Sequence, residues 1–242
     1  SADVLAEVAT IEALPVDTVD TGRGGRQAAA FALTVVMYML IMILASAVAS
    51  SVATEKANRV AEVLLAVVPA RSLLVGKVLG VGAVGFGTVA VAAIPLVIKT
   101  VAGGDVPESL GTTLVSSIAW LAGGLVIYLL IAAMLGALAD RTEDVGSAVA
   151  PLTISLVAIY VVSLGTTETV VGTVLSIVPL SSPIAMPARI AIGAAAPWEI
   201  AASLLCLALG VVLVARLATG TYARAIVRTG RRLKLTEVLR PT

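Results

Sequence analysis

The charged residues of this chain are spaced for ion pairing and protein contact rather than for bond breaking. Glu55, Arg59 and Glu62 recur at helical spacing with Lys56 beside them, while Ala57, Val60, Ala61, Leu64, Leu65 and Val68 take the opposite face. Apolar residues at i, i+3, i+4 and i+7 mark an amphipathic helix. Glu55 precedes Arg59 by one turn, the favourable order for an ion pair of ~0.2–0.5 kcal/mol. Thr54 is suited to cap the first turn, and Glu55 stands where the helix dipole favours a negative charge. Pro69 ends the pattern, because the residue before a proline is pushed out of the α region. A helix over 54–68 is therefore expected. Its charged side is either simply solvated or offered to something in the water.

Catalytic constellations are missing from the sequence. It contains no histidine, which removes histidine zinc sites, Ser-His-Asp triads and the zinc-protease motif together. The single cysteine, Cys206, lies in an apolar run; it has no partner for an internal disulfide and reads as a small core residue. No metal site and no enzyme are expected.

The elements that position these charges follow from composition. Of 242 residues, 59% are hydrophobic and 13% charged, with a mean hydropathy of +1.08. A soluble domain is nearer a quarter charged, so this is an integral membrane protein. The net charge of +1 names no partner, and 3% aromatics give no stacking platform for nucleic acid. The fold class expected is an all-α, polytopic helical bundle of about five spans.

The spans fall at about 31–52, 73–98, 112–139, 145–164 and 198–219, each near the ~20 residues that a hydrocarbon core requires. Gly76 and Gly80 give the second span a small-xxx-small face for close helix packing, and Pro95 is expected to kink its far end. Pro151 lies inside the fourth span. Residues 165–197 are broken by Pro179, Pro183, Pro187 and Pro197. Two short helices, 167–177 and 183–192, fit there, either as a re-entrant hairpin or lying at the surface. Trp198 opens the last span at the interface.

Three parts result: a polar 1–27 tail, a membrane domain over 28–221 and a basic 222–242 tail suited to anionic lipid headgroups, at ~1 kcal/mol per basic residue. Placing the 54–68 helix, the 140–144 loop and the last tail on one side gathers all but Arg23, Arg26, Lys99 and Arg189 of the 16 lysines and arginines there. That side is read as cytoplasmic, with the amino end and the proline-rich hairpin outside. The protein is expected to be a multi-pass cell-membrane protein. Arg71 and Lys77 anchor the second span at the phosphate level, and Glu199 and Arg216 snorkel from span ends. No acidic residue falls mid-span, so the energy for any transport is expected to enter through the charged helix rather than through intramembrane carboxylates.

Four blocks now carry a resemblance. They are Glu55-Lys56-x-x-Arg59-x-x-Glu62 with Pro69 and Gly76-Lys77-x-Leu79-Gly80; Arg141-Thr142-Glu143-Asp144 with Ser147 and Pro151; Pro179 to Arg189; and Tyr222-x-Arg224 with Arg228 and Arg232. In this order the chain resembles the membrane subunit of type-2 bacterial ABC exporters, in particular the sodium-efflux NatB-like branch. The resemblance implies that 54–68 is a coupling helix, with Glu55, Lys56, Arg59, Glu62 and Arg71 in or beside its contact with an ABC ATPase subunit. Arg141, Glu143 and Asp144 are a second cytoplasmic contact or a satisfied turn. Pro179, Pro183, Pro187 and Arg189 belong to an extracellular helical hairpin, a lid or plug.

The resemblance further implies a second permease copy or paralogue, and ATP and Mg held by the partner ATPase. The chain has no Gly-x-x-x-x-Gly-Lys-Ser/Thr run of its own. Members of that family begin with another span and an extracellular domain, so this chain is expected to be a carboxyl-terminal part. A secondary carrier and a non-transporting scaffold or sensor are the competing readings. Spans offering serine, threonine and backbone suit an apolar or amphipathic cargo at least as well as sodium.

Overall fold

Each apolar run becomes a helix, because backbone groups in hydrocarbon must be satisfied within their own segment. The computed structural model describes residues 21–58, 60–103, 108–139 and 141–226. In chain order the helices are α1 Thr21–Ala57, α2 Val60–Leu65, α3 Ala70–Gly103, α4 Glu108–Leu138, α5 Val145–Gly165, α6 Val170–Ile177, α7 Ser182–Ala191 and α8 Pro197–Ala225. A 3₁₀ turn, Thr142–Asp144, leads into α5. Among the described residues there is no strand. Five segments are long and apolar enough to cross a membrane: Ala30–Ala57, Ala70–Val91, Ser117–Leu138, Thr142–Gly165 and Pro197–Ala225, with mean hydropathies from 1.8 to 2.5. The 1–27 tail lies outside the described residues up to residue 20, and the last tail from residue 227 onward.

Several boundaries differ from the sequence reading, among them the start of α1 at Thr21 and the end of α8 at Ala225, which fall inside the expected tails. The first membrane helix does not end at 52; it runs on to Ala57, absorbing the start of the predicted 54–68 helix. Thr54 is consequently no N-cap: its hydroxyl donates back to the Ser50 carbonyl at 2.8 Å. The remainder of that segment is the short α2 and a turn over 66–68 before Pro69. The predicted loop from Lys99 is still α3 as far as Gly103.

Helix α4 is the centre of the bundle. It is apolar around its whole circumference, and Trp120, Leu121, Leu125, Ile127, Tyr128 and Leu129 are all within 1% of complete burial. It touches α1, α3, α5, α7 and α8. Helix α1 runs parallel to it, with Gly136 against the backbone of Ala49. Helix α8 also runs parallel to α4, with Trp120 facing Ser203, Gly123 facing Leu207 and Ile127 facing Gly210. Helix α3 runs the other way: Lys77 meets Ser51, while Gly85 meets Leu44 and Leu125.

Thus α1, α4 and α8 point one way and α3 the other. The bundle has a loop end, where α1 hands over to α2 and α3, and a hairpin end, where α6 and α7 lie. Gly76, Gly80 and Gly87 of α3 meet no described atom within 4 Å. The predicted small-xxx-small contact is therefore not made among the described residues; the close glycine contact of α3 is at Gly85.

The hairpin dips into the bundle rather than lying on its surface. From Ser182 to Arg189 every residue of α7 is buried. The elbow between α6 and α7 places Pro179 on Gly210 and Pro183 on Gly124, where an added Cβ would lie 2.5 Å from a proline carbon in each case. Gly210 is about 20 Å along α8 from Pro197 at 1.5 Å per residue, so the elbow sits deep in the bundle. Its carbonyls have partners inside the protein: Ser181 Oγ donates to Leu175 O at 2.6 Å, and the Tyr128 hydroxyl donates to Leu180 O. This is the condition under which irregular backbone is tolerated at membrane depth.

Candidate functional site

At the loop end, Glu55 on α1 and Lys77 on α3 form an ion pair at 2.5 Å. Ser51, one turn before Glu55, completes the cluster: Lys77 Nζ donates to its hydroxyl at 2.9 Å, and that hydroxyl donates to Glu55 at 3.3 Å. Lysine suits this role because its flexible stem reaches across the helix pair while its head stays near water. Arg59, the expected partner of Glu55, and the side chain of Glu62 lie outside the described residues.

Lys56 points inward. It is only 3% exposed, and its Nζ donates to the Ala137 carbonyl at 2.8 Å. Ala137 belongs to the last turn of α4, where carbonyls have no helical partner and the dipole favours a cation. A residue read from spacing as a docking charge thus terminates the central helix. The reason is the extension of α1 to Ala57, which turns Lys56 toward α4.

The rest of the predicted contact set surrounds this cluster. Arg71 is exposed at the start of α3, Arg141 and Glu143 are exposed, and Asp144 is half-buried. Asp144 O accepts from Ser147 Oγ at 2.8 Å, which closes the turn into α5. The 3₁₀ turn touches α1. The structure therefore brings both predicted charged groups to one end of the bundle. In the short α2 and the turn after it, Val60, Val63, Leu64 and Val67 are exposed, the last at 83%, while Leu65 packs on the core. Of the apolar face expected from the sequence, Val60 and Leu64 are exposed and Leu65 is packed inward, while Val63 and Val67, outside that pattern, add exposed apolar surface.

At the hairpin end, Arg189 and Glu199 form a buried ion pair at 2.9 Å, with side chains 4% and 10% exposed. Arg189 uses the rest of its fork as well. Nε donates to Thr167 O at 3.0 Å, Nη1 to Ser176 Oγ at 2.7 Å and Nη2 to Ala194 O at 2.9 Å. Glu199 also accepts from the Ala196 N–H at 3.2 Å, at the start of α8. From Ser176 the connections continue: Ser203 Oγ donates to Ser176 O at 2.5 Å, and Trp120 Nε1 donates to Ser203 Oγ at 2.9 Å.

Glu199 does not snorkel from a span end as the sequence suggested; Arg189 holds it inside. Proline positions in the hairpin serve packing, with Pro183 in the first turn of α7, where a missing N–H costs nothing, and Pro187 buried within it. Ser176, Ser203, Trp120 and Glu199 were missed as a group. The sequence signal was Arg189 and Glu199 as opposite charges flanking the Gly193 turn in an otherwise apolar stretch.

The family described as ABC-2 family transporter protein matches residues 4–219. The chain belongs to the ABC-2 transporter family. Its ABC-2 membrane helices make it a multi-pass membrane protein. Among curated relatives, the Uncharacterized protein YhaP of Bacillus subtilis (strain 168) is 28% identical over 210 residues, which cover 81% of this chain and 50% of that protein. The ABC-2 chain described above thus spans about half the length of that relative. No solved structure matches.

Proposed function

We propose that this chain is the permease part of an ATP-driven exporter, with the loop end in the cytoplasm and docked on an ABC ATPase subunit that binds ATP and Mg. The observation that carries the reading is the exposed apolar group Val60, Val63, Leu64 and Val67, at the same end of the bundle as Glu55, Arg71, Arg141 and Glu143, on a chain of the ABC-2 family. Exposed apolar side chains are the surface a partner groove takes. ATP-driven movement of that groove shifts the α2 segment. The Glu55–Lys77 pair hands the shift to α3, and Lys56 hands it to the end of α4. Two such permease units enclose the path, and the change in tilt moves it from inward to outward opening. Arg59 and Glu62 belong to the same docking surface.

The cargo that fits is apolar or amphipathic. Sodium export, the NatB-like reading, would need an anionic or carbonyl cage. Glu199, the buried carboxylate of the described spans, is closed by Arg189.

The test uses the full-length protein in native membranes. Solubilised in mild detergent, it should bring down an ATPase, and Val67→Asp or Arg71→Glu should reduce the recovered ATPase severalfold while leaving the permease in the membrane. Recovery of no ATPase with the unaltered protein, or full recovery with both variants, overturns the reading.

A further inference from the structure

We infer that the Arg189 cluster makes α4, α6, α7 and the first half of α8 one rigid body, so that the elbow is a fixed plug carried by α8 and not a lid that opens on its own. The inference rests on the geometry of the hairpin end and is independent of any ATPase partner.

Each of the four helices has a named tie in one connected set. Arg189 stands near the end of α7. It binds Glu199 in the first turn of α8, Ser176 on α6, and the carbonyls of Thr167 and Ala194 on either side of the hairpin. Ser203, a turn further along α8, joins the carbonyl of Ser176 to the indole N–H of Trp120 on α4. A separate hairpin lid would have to break these bonds together, in surroundings where Arg189, Ser176, Ser203 and Trp120 are nearly or wholly without access to water. Uncovering a buried charge without its partner is strongly unfavourable. The fork geometry of arginine, with its several fixed donors, allows one side chain to hold so many directions at once. Below the cluster α4, α7, α8 and the elbow interlock sterically: Pro183 fills the space above Gly124, Pro179 that above Gly210, and Leu207 that above Gly123. Motion at this end then takes place around the body rather than inside it.

Two engineered cysteines in the full-length protein, in a Cys206→Ser background and in native membranes, separate the two cases. Ala185→Cys reports on α7, which is 3% exposed there, and Leu207→Cys reports on the α4–α8 seam, also 3% exposed. Both should react slowly with a water-soluble maleimide. Adding Arg189→Gln should raise the rate at both positions together, severalfold, because the body loosens as a unit. A rise at Ala185→Cys with Leu207→Cys unchanged shows a hairpin that detaches alone and overturns the inference. No rise at either position overturns it too. If Arg189→Gln fails to insert, Glu199→Gln, which keeps an acceptor for Arg189, replaces it and should give the same paired rise at smaller amplitude.

Discussion

Gly136 of α4 lies directly on the backbone of Ala49 of α1, with the Ala49 carbonyl oxygen occupying the place a side chain would need. Ala45 and Ala53 of α1 and Ala132 and Ala133 of α4 are buried as well. In a membrane, helices gain little from burying apolar surface against each other, so close backbone approach through small residues carries the association. The parallel α1–α4 pair is built this way, and it fixes where Lys56 arrives at the end of α4.

Gly136→Ala should therefore destabilise the detergent-solubilised protein by about 1–3 kcal/mol, the usual cost of overfilling a packed site. Gly80→Ala should be neutral or slightly stabilising, because a Cβ there meets nothing within 4 Å among the described residues and alanine is the better helix former. Thermal unfolding followed by size-exclusion chromatography checks the pair. Equal effects at the two glycines would contradict the packing described.

Replacing Lys56 by Met keeps the aliphatic stem and removes the donor to Ala137. The uncapped end of α4 should cost about 1–3 kcal/mol, the penalty of a buried acceptor left without its partner. Lys56→Arg should restore much of it. Stability of the three proteins, measured under one set of conditions, decides whether Lys56 is a cap or a surface charge.

The Glu55–Lys77 pair has a different signature. Its side chains are 31% and 13% exposed, so its contribution to stability should be small, about 0–1 kcal/mol, and reduced by salt. Its proposed role is transmission. Lys77→Met should leave folding and ATPase recovery near those of the unaltered protein, yet lower the response of the recovered ATPase to reconstitution with the permease. A loss of recovery instead would make Lys77 part of the docking surface.

Tyr38 of α1 stacks on Tyr160 of α5, with ring centroids 4.7 Å apart and planes 24° apart. Such pairs contribute about 0.5–1.5 kcal/mol beyond their buried area. Tyr160→Ala should loosen α5 by at least that amount, and Tyr160→Phe should be close to neutral, since stacking and not the hydroxyl holds the contact. Thermal unfolding of both variants gives the comparison.

Much of this architecture is visible in the sequence, and the parts that are not share a physical cause. Hydropathy identifies five helices long and apolar enough to cross a membrane, because length and apolarity alone decide them, but not their ends: α1 begins at Thr21 and α8 runs on to Ala225. Pro179 and Pro183 mark the break between α6 and α7, whereas Pro187 lies inside α7 without interrupting it. Direction is what periodicity leaves open. Lys56 is one residue from Glu55, and whether it faces water or α4 depends on α1 continuing to Ala57, which Thr54 and Pro69 argued against. Glu199 sits a few residues from a membrane boundary, and its inward turn follows only from an arginine ten positions earlier that no helical repeat connects to it. In α3 the regular Gly76–Gly80 spacing attracted the packing argument, while Gly85, outside that spacing, makes the contact.

The depth of the elbow sets an order of assembly. Neither α6 nor α7 is long enough to cross a bilayer, and α7 is buried on all sides by other parts of the chain. The hairpin has no stable place in lipid until α4 and α8 have entered and met. Biogenesis then divides into insertion of the long helices and a later seating of the hairpin between them. Residues of the seat, such as Gly124 and Gly210, govern the second stage alone. Changes there should yield a protein that is delivered to the membrane with its long helices in place but unfinished, and that is open to quality-control proteases at the hairpin.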